Sequence, residues 1–166
     1  RAPNLQLGSI MFQLKVRGSS LQSVTERQMD HLFVYGTLLS EARDTLGAAM
    51  RARLHSEADL IGKASTPGRL YDLGDYPGLV EAEPRGARDL VSGEVLALND
   101  ATITFRWLDL YEDVDPVNPS AGLYRRVPQL ALLGDQSALR CWVYVLNAVP
   151  SDAPLIAGGG WLSNGE

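Results

Sequence analysis

The sequence predicts an α+β protein built on a small closed or nearly closed β-barrel of mixed strands, with two or so flanking helices. Three observations predict it. Short apolar runs broken by Gly and Pro recur between residues 58 and 98 and again between 124 and 146. Only two stretches carry helical spacing. No internal repeat and no regular βαβ alternation is present, which removes the parallel-sheet architectures.

Taken in order, the first element is His31-Leu32-Phe33-Val34-Tyr35-Gly36-Thr37-Leu38-Leu39. Its β-branched and aromatic run reads as a buried strand that stops at a glycine. Gly36 can adopt backbone angles other residues avoid, and without a side chain it lets a ligand approach the main chain. On its own the pattern reads as a strand that ends in a turn. Ser40 then suits a helix cap with Glu41 in the first turn. Leu46, Met50 and Leu54 repeat every four residues along its buried face, with Met50 as core filler.

Strands follow over Ala58–Ala64, Gly68–Leu73 and Tyr76–Val80, with Gly74-Asp75 and Pro77-Gly78 as turn dipeptides. Leu90–Leu98 is a further strand, where Gly93 marks a bulge or a close backbone approach. Asp100 caps a second helix, Ala101–Tyr111, with Ile103, Trp107, Leu108 and Tyr111 roughly on one face. Pro116 and Pro119 mark a loop. Strands over Tyr124–Leu133 and Leu139–Leu146 are joined by Gly134-Asp135-Gln136.

At 166 residues the chain is one domain, and 45% hydrophobic content suffices for a core. A formal net charge of -5 argues against nucleic acid or an anionic membrane as partner. No apolar run has the length of a membrane span. The single cysteine, Cys141, excludes an intramolecular disulfide and points to a reducing, cytoplasmic setting. Residues 1–28 carry Arg1, Lys15, Arg17 and Arg27 and no acid before Glu26. They are expected to be an added or mis-started N-terminal extension ahead of a natural start at Met29, with Ser9–Val16 able to add a strand. Residues 29–148 form the domain, and the Gly/Pro-rich tail 149–166 either wraps over the barrel or stays unordered.

Several chemistries are missing. His31, His55 and Cys141 have no metal-ligand spacing. His31 at a strand start and His55 after a helix read as surface or capping residues. There is no G-x-S-x-G elbow and no G-x-x-x-x-G-K loop. Cys141, in an apolar strand, reads as a structural thiol rather than a nucleophile. An enzyme built on this chain works without metal or cofactor, through a carboxylate or a tyrosine.

The motifs Phe33-Val34-Tyr35-Gly36-Thr37-Leu38, Gly68-Arg69-Leu70-Tyr71 with Tyr76-Pro77-Gly78, Leu108-Asp109-Leu110-Tyr111-Glu112 and Tyr124-Arg125-Arg126 occur in this order. In order and spacing the chain resembles the γ-glutamylcyclotransferase-like, or AIG2-like, family over nearly all of residues 30–148. The Y-G-T-L element alone is a weak signal; the ordered set is specific for the fold and less so for the substrate.

The resemblance implies an enzyme in which the free α-amine of a γ-glutamyl group attacks its own γ-carbonyl. A small γ-glutamyl amine or peptide yields 5-oxoproline and releases the amine, and the protein is a monomer or homodimer. Holding the substrate folded supplies on the order of 7–11 kcal/mol. Glu112 matches the family's general acid/base; without the resemblance it is an ordinary acid at a helix C-terminus, where acids are unfavourable. Tyr35, Gly36, Thr37 and Leu38 match the substrate loop, whose amides suit a carboxylate and a developing oxyanion. Tyr71 and Tyr76 either line the cavity or belong to the core. Arg125 or Arg126 is expected to pair with a substrate carboxylate or with Glu112, only one of them facing inward.

The chain departs from the family at Asp113, where glycine is usual. An acid beside the base perturbs its pKa, and aspartate takes positive φ less cheaply than glycine. The alternative function is therefore a non-catalytic module that keeps the barrel cavity for a small ligand.

Overall fold

The computed structural model describes residues 29–85 and 89–162. The expectations for residues 1–28, including the strand over Ser9–Val16, lie outside the described residues. Among the described residues there are seven strands and two helices: β1 (His31–Val34), α1 (Ala48–Ser56), β2 (Ala58–Pro67), β3 (Arg69–Asp72), β4 (Pro77–Val80), β5 (Leu90–Leu98), α2 (Ala101–Tyr111), β6 (Tyr124–Leu133) and β7 (Ala138–Leu146). Five strands close a barrel in the order β1-β5-β2-β6-β7. Every pairing is antiparallel except β1 with β7, where Leu32 stands opposite Trp142. That parallel seam makes the barrel mixed.

Strand β1 reads as an unbroken apolar run because both its faces are buried. Leu32 and Val34 join one core cluster with Leu54 of α1 and with Phe105 and Leu108 of α2. Phe33 and Tyr35 join a second, with Val91, Val95, Cys141, Val143 and Val145. Strand β7 alternates in the same way, with Tyr144 and Leu146 in the first cluster and Cys141, Val143 and Val145 in the second. Burial pushes the Cys141 thiol up to about 12, as expected of an inert structural thiol.

At Gly93 a close approach, not a bulge, is found. An added Cβ would lie 2.2 Å from the Val34 carbonyl oxygen and 2.6 Å from the Phe33 ring. The bulge is in the partner strand β2, between Leu60 and Gly62. Strands β3 and β4 form a separate two-stranded sheet rather than part of the barrel. The tail covers this hairpin as far as it is described. The Pro154 carbonyl accepts a hydrogen bond from Asp72 N–H, Ile156 N–H donates to the Leu70 carbonyl, and Ile156 is buried.

The second helix starts as expected, with the Asp100 carboxylate accepting from Ile103 N–H at 3.0 Å. Its buried face differs from the expected one. Thr104, Phe105 and Leu108 are buried, whereas Ile103 and Tyr111 are exposed. The first helix is shorter than expected and begins after Gly47. Ser40 does not cap it: its N–H and hydroxyl both bond the buried Glu94 carboxylate, so residues 36–42 run as turns. Leu46 consequently precedes the helix and is exposed. His55 lies inside α1, not after it, and its Nε2 donates to the Leu38 carbonyl at 2.9 Å. Among the described residues no helix is long and apolar enough to cross a membrane.

Candidate active site

Where β1 ends, the chain turns along a cavity of about 240 Å³. Its wall is the continuous stretch Phe33–Leu38, faced by Tyr76 and Pro77 before and in β4, Tyr111 and Glu112 at the end of α2, Leu123 and Tyr124 at the start of β6, and Tyr144 of β7. Among the described residues, Glu112 is the only charged one in this lining. Tyr35, Gly36, Thr37, Leu38 and Glu112 are thus brought together from opposite ends of the domain.

Glu112 occupies the C-cap position of α2, and its N–H bonds the Leu108 carbonyl at 2.9 Å. The residue as a whole is partly exposed to the cavity, while its carboxyl group is densely surrounded by protein atoms. That enclosure, with a smaller contribution from the Asp109 carboxylate, pushes its pKa up to about 8.

The tyrosines around it explain why burial is not offset by hydrogen bonds. Tyr35, Tyr111, Tyr124 and Tyr144 all feel the charge of Glu112. Three of these hydroxyls donate elsewhere: Tyr35 to the Tyr144 carbonyl at 2.7 Å, Tyr124 to the Pro77 carbonyl at 2.7 Å, and Tyr144 to Asp109 at 2.6 Å. Burial is the main reason that all four phenols are raised, so none ionises near neutral pH. The carboxyl therefore sits in an apolar, aromatic box. It is the one group there that titrates in a useful range.

Facing it, the loop after β1 presents backbone. The Gly36 carbonyl accepts from Leu39 N–H at 3.0 Å, the Thr37 carbonyl from Arg51, and the Leu38 carbonyl from His55. Among the described residues no acceptor meets the N–H groups of Gly36, Thr37 and Leu38. Unpartnered amides beside a cavity are fitted to an anionic or oxyanionic group.

Two expected site residues lie elsewhere. Tyr71 is not part of the cavity, because alternation along β3 buries Leu70 and turns Tyr71 the other way, beside Leu155 of the tail. Arg125 does not reach it either; its guanidinium pairs with Glu81 and donates to Asn147 at 3.0 Å. Arg126 donates to both Asp109 oxygens, at 2.9 and 3.1 Å, and stacks over Phe105 and Trp142. Neither arginine pairs with Glu112. Tyr76 does line the cavity, as do Pro77 and Tyr111, which belong to the ordered motifs without standing out there as site residues, and Tyr144, which lies outside them.

Asp113 has φ of 52°, the left-handed conformation a glycine would take freely. Its carboxylate accepts from Leu123 N–H at 3.1 Å, which ties it to the loop that leads to β6. The acid that does act on Glu112 is Asp109, one helical turn back.

A family model described as gamma-glutamyl cyclotransferase, AIG2-like, matches residues 32–163. The chain belongs to this family. A Vibrio cholerae protein described as a "putative gamma-glutamylcyclotransferase" is 36% identical over 137 residues, covering 80% of this chain and 96% of that protein. The crystal structure of a mouse AIG2-like protein superposes with a TM-score of 0.61 at 25% identity, covering 83% of this chain and 91% of that one. The solution structure of the Escherichia coli YtfP protein gives a TM-score of 0.50 at 29% identity, with 80% and 96% covered. The two solved structures share the fold, and the residues that the family model matches run from β1 through β7 into the tail.

Proposed function

We propose that this chain is a γ-glutamylcyclotransferase that converts the γ-glutamyl group of a small amine or peptide into 5-oxoproline, with Glu112 as general acid/base. The observation that carries it is the pairing of one carboxyl, raised to about 8, with the three unpartnered amides of Gly36–Leu38 across a single cavity. The cavity volume of about 240 Å³ accommodates a folded glutamyl group.

The loop amides hold the glutamyl carboxylate or the carbonyl oxygen, curling the substrate so that its α-nitrogen meets its γ-carbon. Glu112 as carboxylate takes a proton from the α-ammonium, and the freed amine adds to the γ-carbonyl. The oxyanion rests on a backbone amide. As the tetrahedral centre collapses, the C–N bond to the leaving amine breaks and Glu112 returns its proton to that nitrogen. The attacking nitrogen sheds its second proton to solvent as the ring closes to the lactam, and the expelled amine takes one up to leave as an ammonium, so one ring closes, one C–N bond breaks and both ammonium protons are accounted for.

Incubation with a panel of γ-glutamyl amines and dipeptides, followed by 5-oxoproline release, tests this. Because the free enzyme must present carboxylate, kcat/KM for a turned-over member rises with pH along a limb centred near 8. It is about fiftyfold lower at pH 6 than at pH 8. A limb centred near 4.5 shows that the carboxyl is not shifted, and a limb that persists unchanged in Glu112→Gln removes Glu112 from the role. Tight binding of a γ-glutamyl compound without turnover would instead make the chain a binding module.

A further inference from the structure

The substrate loop is held from behind by three side chains: Glu94 on Ser40, His55 on the Leu38 carbonyl, and Arg51 on the Thr37 carbonyl at 2.7 Å. They are not equivalent. A peptide carbonyl and the N–H of the next residue share one plane and point in opposite directions. His55 grips the peptide whose N–H belongs to Leu39, and that N–H is already bonded to the Gly36 carbonyl. Arg51 grips the peptide whose N–H belongs to Leu38, which has no acceptor among the described residues and borders the cavity. The second Arg51 nitrogen donates to the Asp44 carbonyl at 3.1 Å, tying the two ends of the loop to one planar guanidinium.

Resting on the cyclotransferase reading above, we propose that Arg51 is a positioning residue: its guanidinium fixes and polarises the Thr37–Leu38 peptide so that Leu38 N–H is aimed at the substrate's anionic group. Arg51 does not border the cavity; it acts from behind the wall, through this peptide and through a charge that also reaches the Tyr111 phenol. A cationic donor on the carbonyl draws electron density from the amide and strengthens its N–H. The arrangement places a positive charge behind the anion site without exposing it to pair with Glu112. Lysine retains the charge but replaces the planar two-nitrogen fork with a single ammonium nitrogen on a flexible stem.

Arg51→Gln and Arg51→Lys are compared with the unmodified protein by calorimetric binding of glutarate, a dicarboxylate that cannot cyclise, and by kinetics on the panel above. Glutarate binding weakens about tenfold in Arg51→Gln, the scale of one hydrogen bond to a charged group, and by less in Arg51→Lys. With a turned-over substrate, KM rises by a similar factor while the pH limb near 8 stays in place. Unchanged glutarate affinity and KM in both variants overturn the inference and leave the cyclotransferase reading standing. Arginine-dependent glutarate binding in a protein that turns nothing over does the reverse. A protein that neither binds glutarate nor turns over the panel overturns both. Should Arg51→Gln fail to fold, Arg51→Lys decides alone, and wild-type affinity in it counts against the proposal.

Discussion

Replacing Glu112 with glutamine lowers 5-oxoproline release about a thousandfold and, at pH 9, makes the protein more stable. The first effect follows because glutamine neither takes nor gives the proton; general acid–base groups contribute roughly 10²–10⁴-fold. The second follows from the raised pKa. A carboxyl of ordinary pKa 4.5 in the unfolded chain and about 8 in the fold binds its proton more tightly when folded. Below pH 4.5 both states are protonated and nothing is lost. Between 4.5 and 8 the unfolded chain ionises while the folded one resists, so stability falls as pH rises, and above 8 the loss is complete. At about 1.4 kcal/mol per unit, the penalty is on the order of a few kcal/mol. For a chain of this size that is roughly 5–10 °C in melting temperature. The gap between variant and wild type should open from near zero at pH 4.5 to its full value by about pH 9. A variant that keeps a tenth of the activity removes Glu112 from the chemistry. A gap that does not change with pH shows that the carboxyl is not shifted. Such opposite signs in activity and stability mark a group held in an unfavourable place for its function.

Local pattern is enough to read the strands; Glu112 stands out only through the family resemblance, and neither reads the other walls of its box. Strands β5 and β6 run over the predicted residues because Leu90–Leu98 and Tyr124–Leu133 are bounded by turn residues on both sides. The first helix reads too long from sequence because Ser40 and Glu41 imitate a capped start. What cancels that signal is Glu94, 54 residues away, whose buried carboxylate takes the Ser40 N–H and hydroxyl for itself. Tyr111 and Tyr144 each sit in an amphipathic pattern that reads as core. Only the closure of the barrel, pairing β1 with β7, brings Tyr144 to the same cavity as Tyr35. The arginines fail for a related reason. Alternation correctly splits Arg125 from Arg126, but Glu81 and Asp109 claim both guanidiniums, and neither pairing is local in sequence.

Gly36→Ala is expected to lower kcat/KM about a hundredfold, for a reason that lies outside the local sequence. Gly36 invites an account in terms of unusual backbone angles, yet it does not adopt the left-handed conformation. The constraint is contact: a Cβ here would lie 2.7 Å from Cγ and 2.9 Å from Cδ of Pro77. A proline ring has no alternative rotamer that clears the space. Pro77 is moreover fixed by its register with Asp72 and by the Tyr124 hydroxyl on its carbonyl. The loop must therefore move, and the amides of Thr37 and Leu38 move with it. Displacing positioned groups by about 1 Å can cost 10²-fold in rate, whereas overpacking costs about 1–3 kcal/mol in stability. Loss of activity should thus exceed what unfolding at assay temperature explains, and the pH limb near 8 should persist because Glu112 is on the other wall. The double variant Gly36→Ala with Pro77→Ala removes the offending ring carbons and should recover at least about tenfold over the single variant, a coupling that a double-mutant cycle isolates. If the double variant recovers nothing, the Pro77 contact is not what requires glycine at the end of β1.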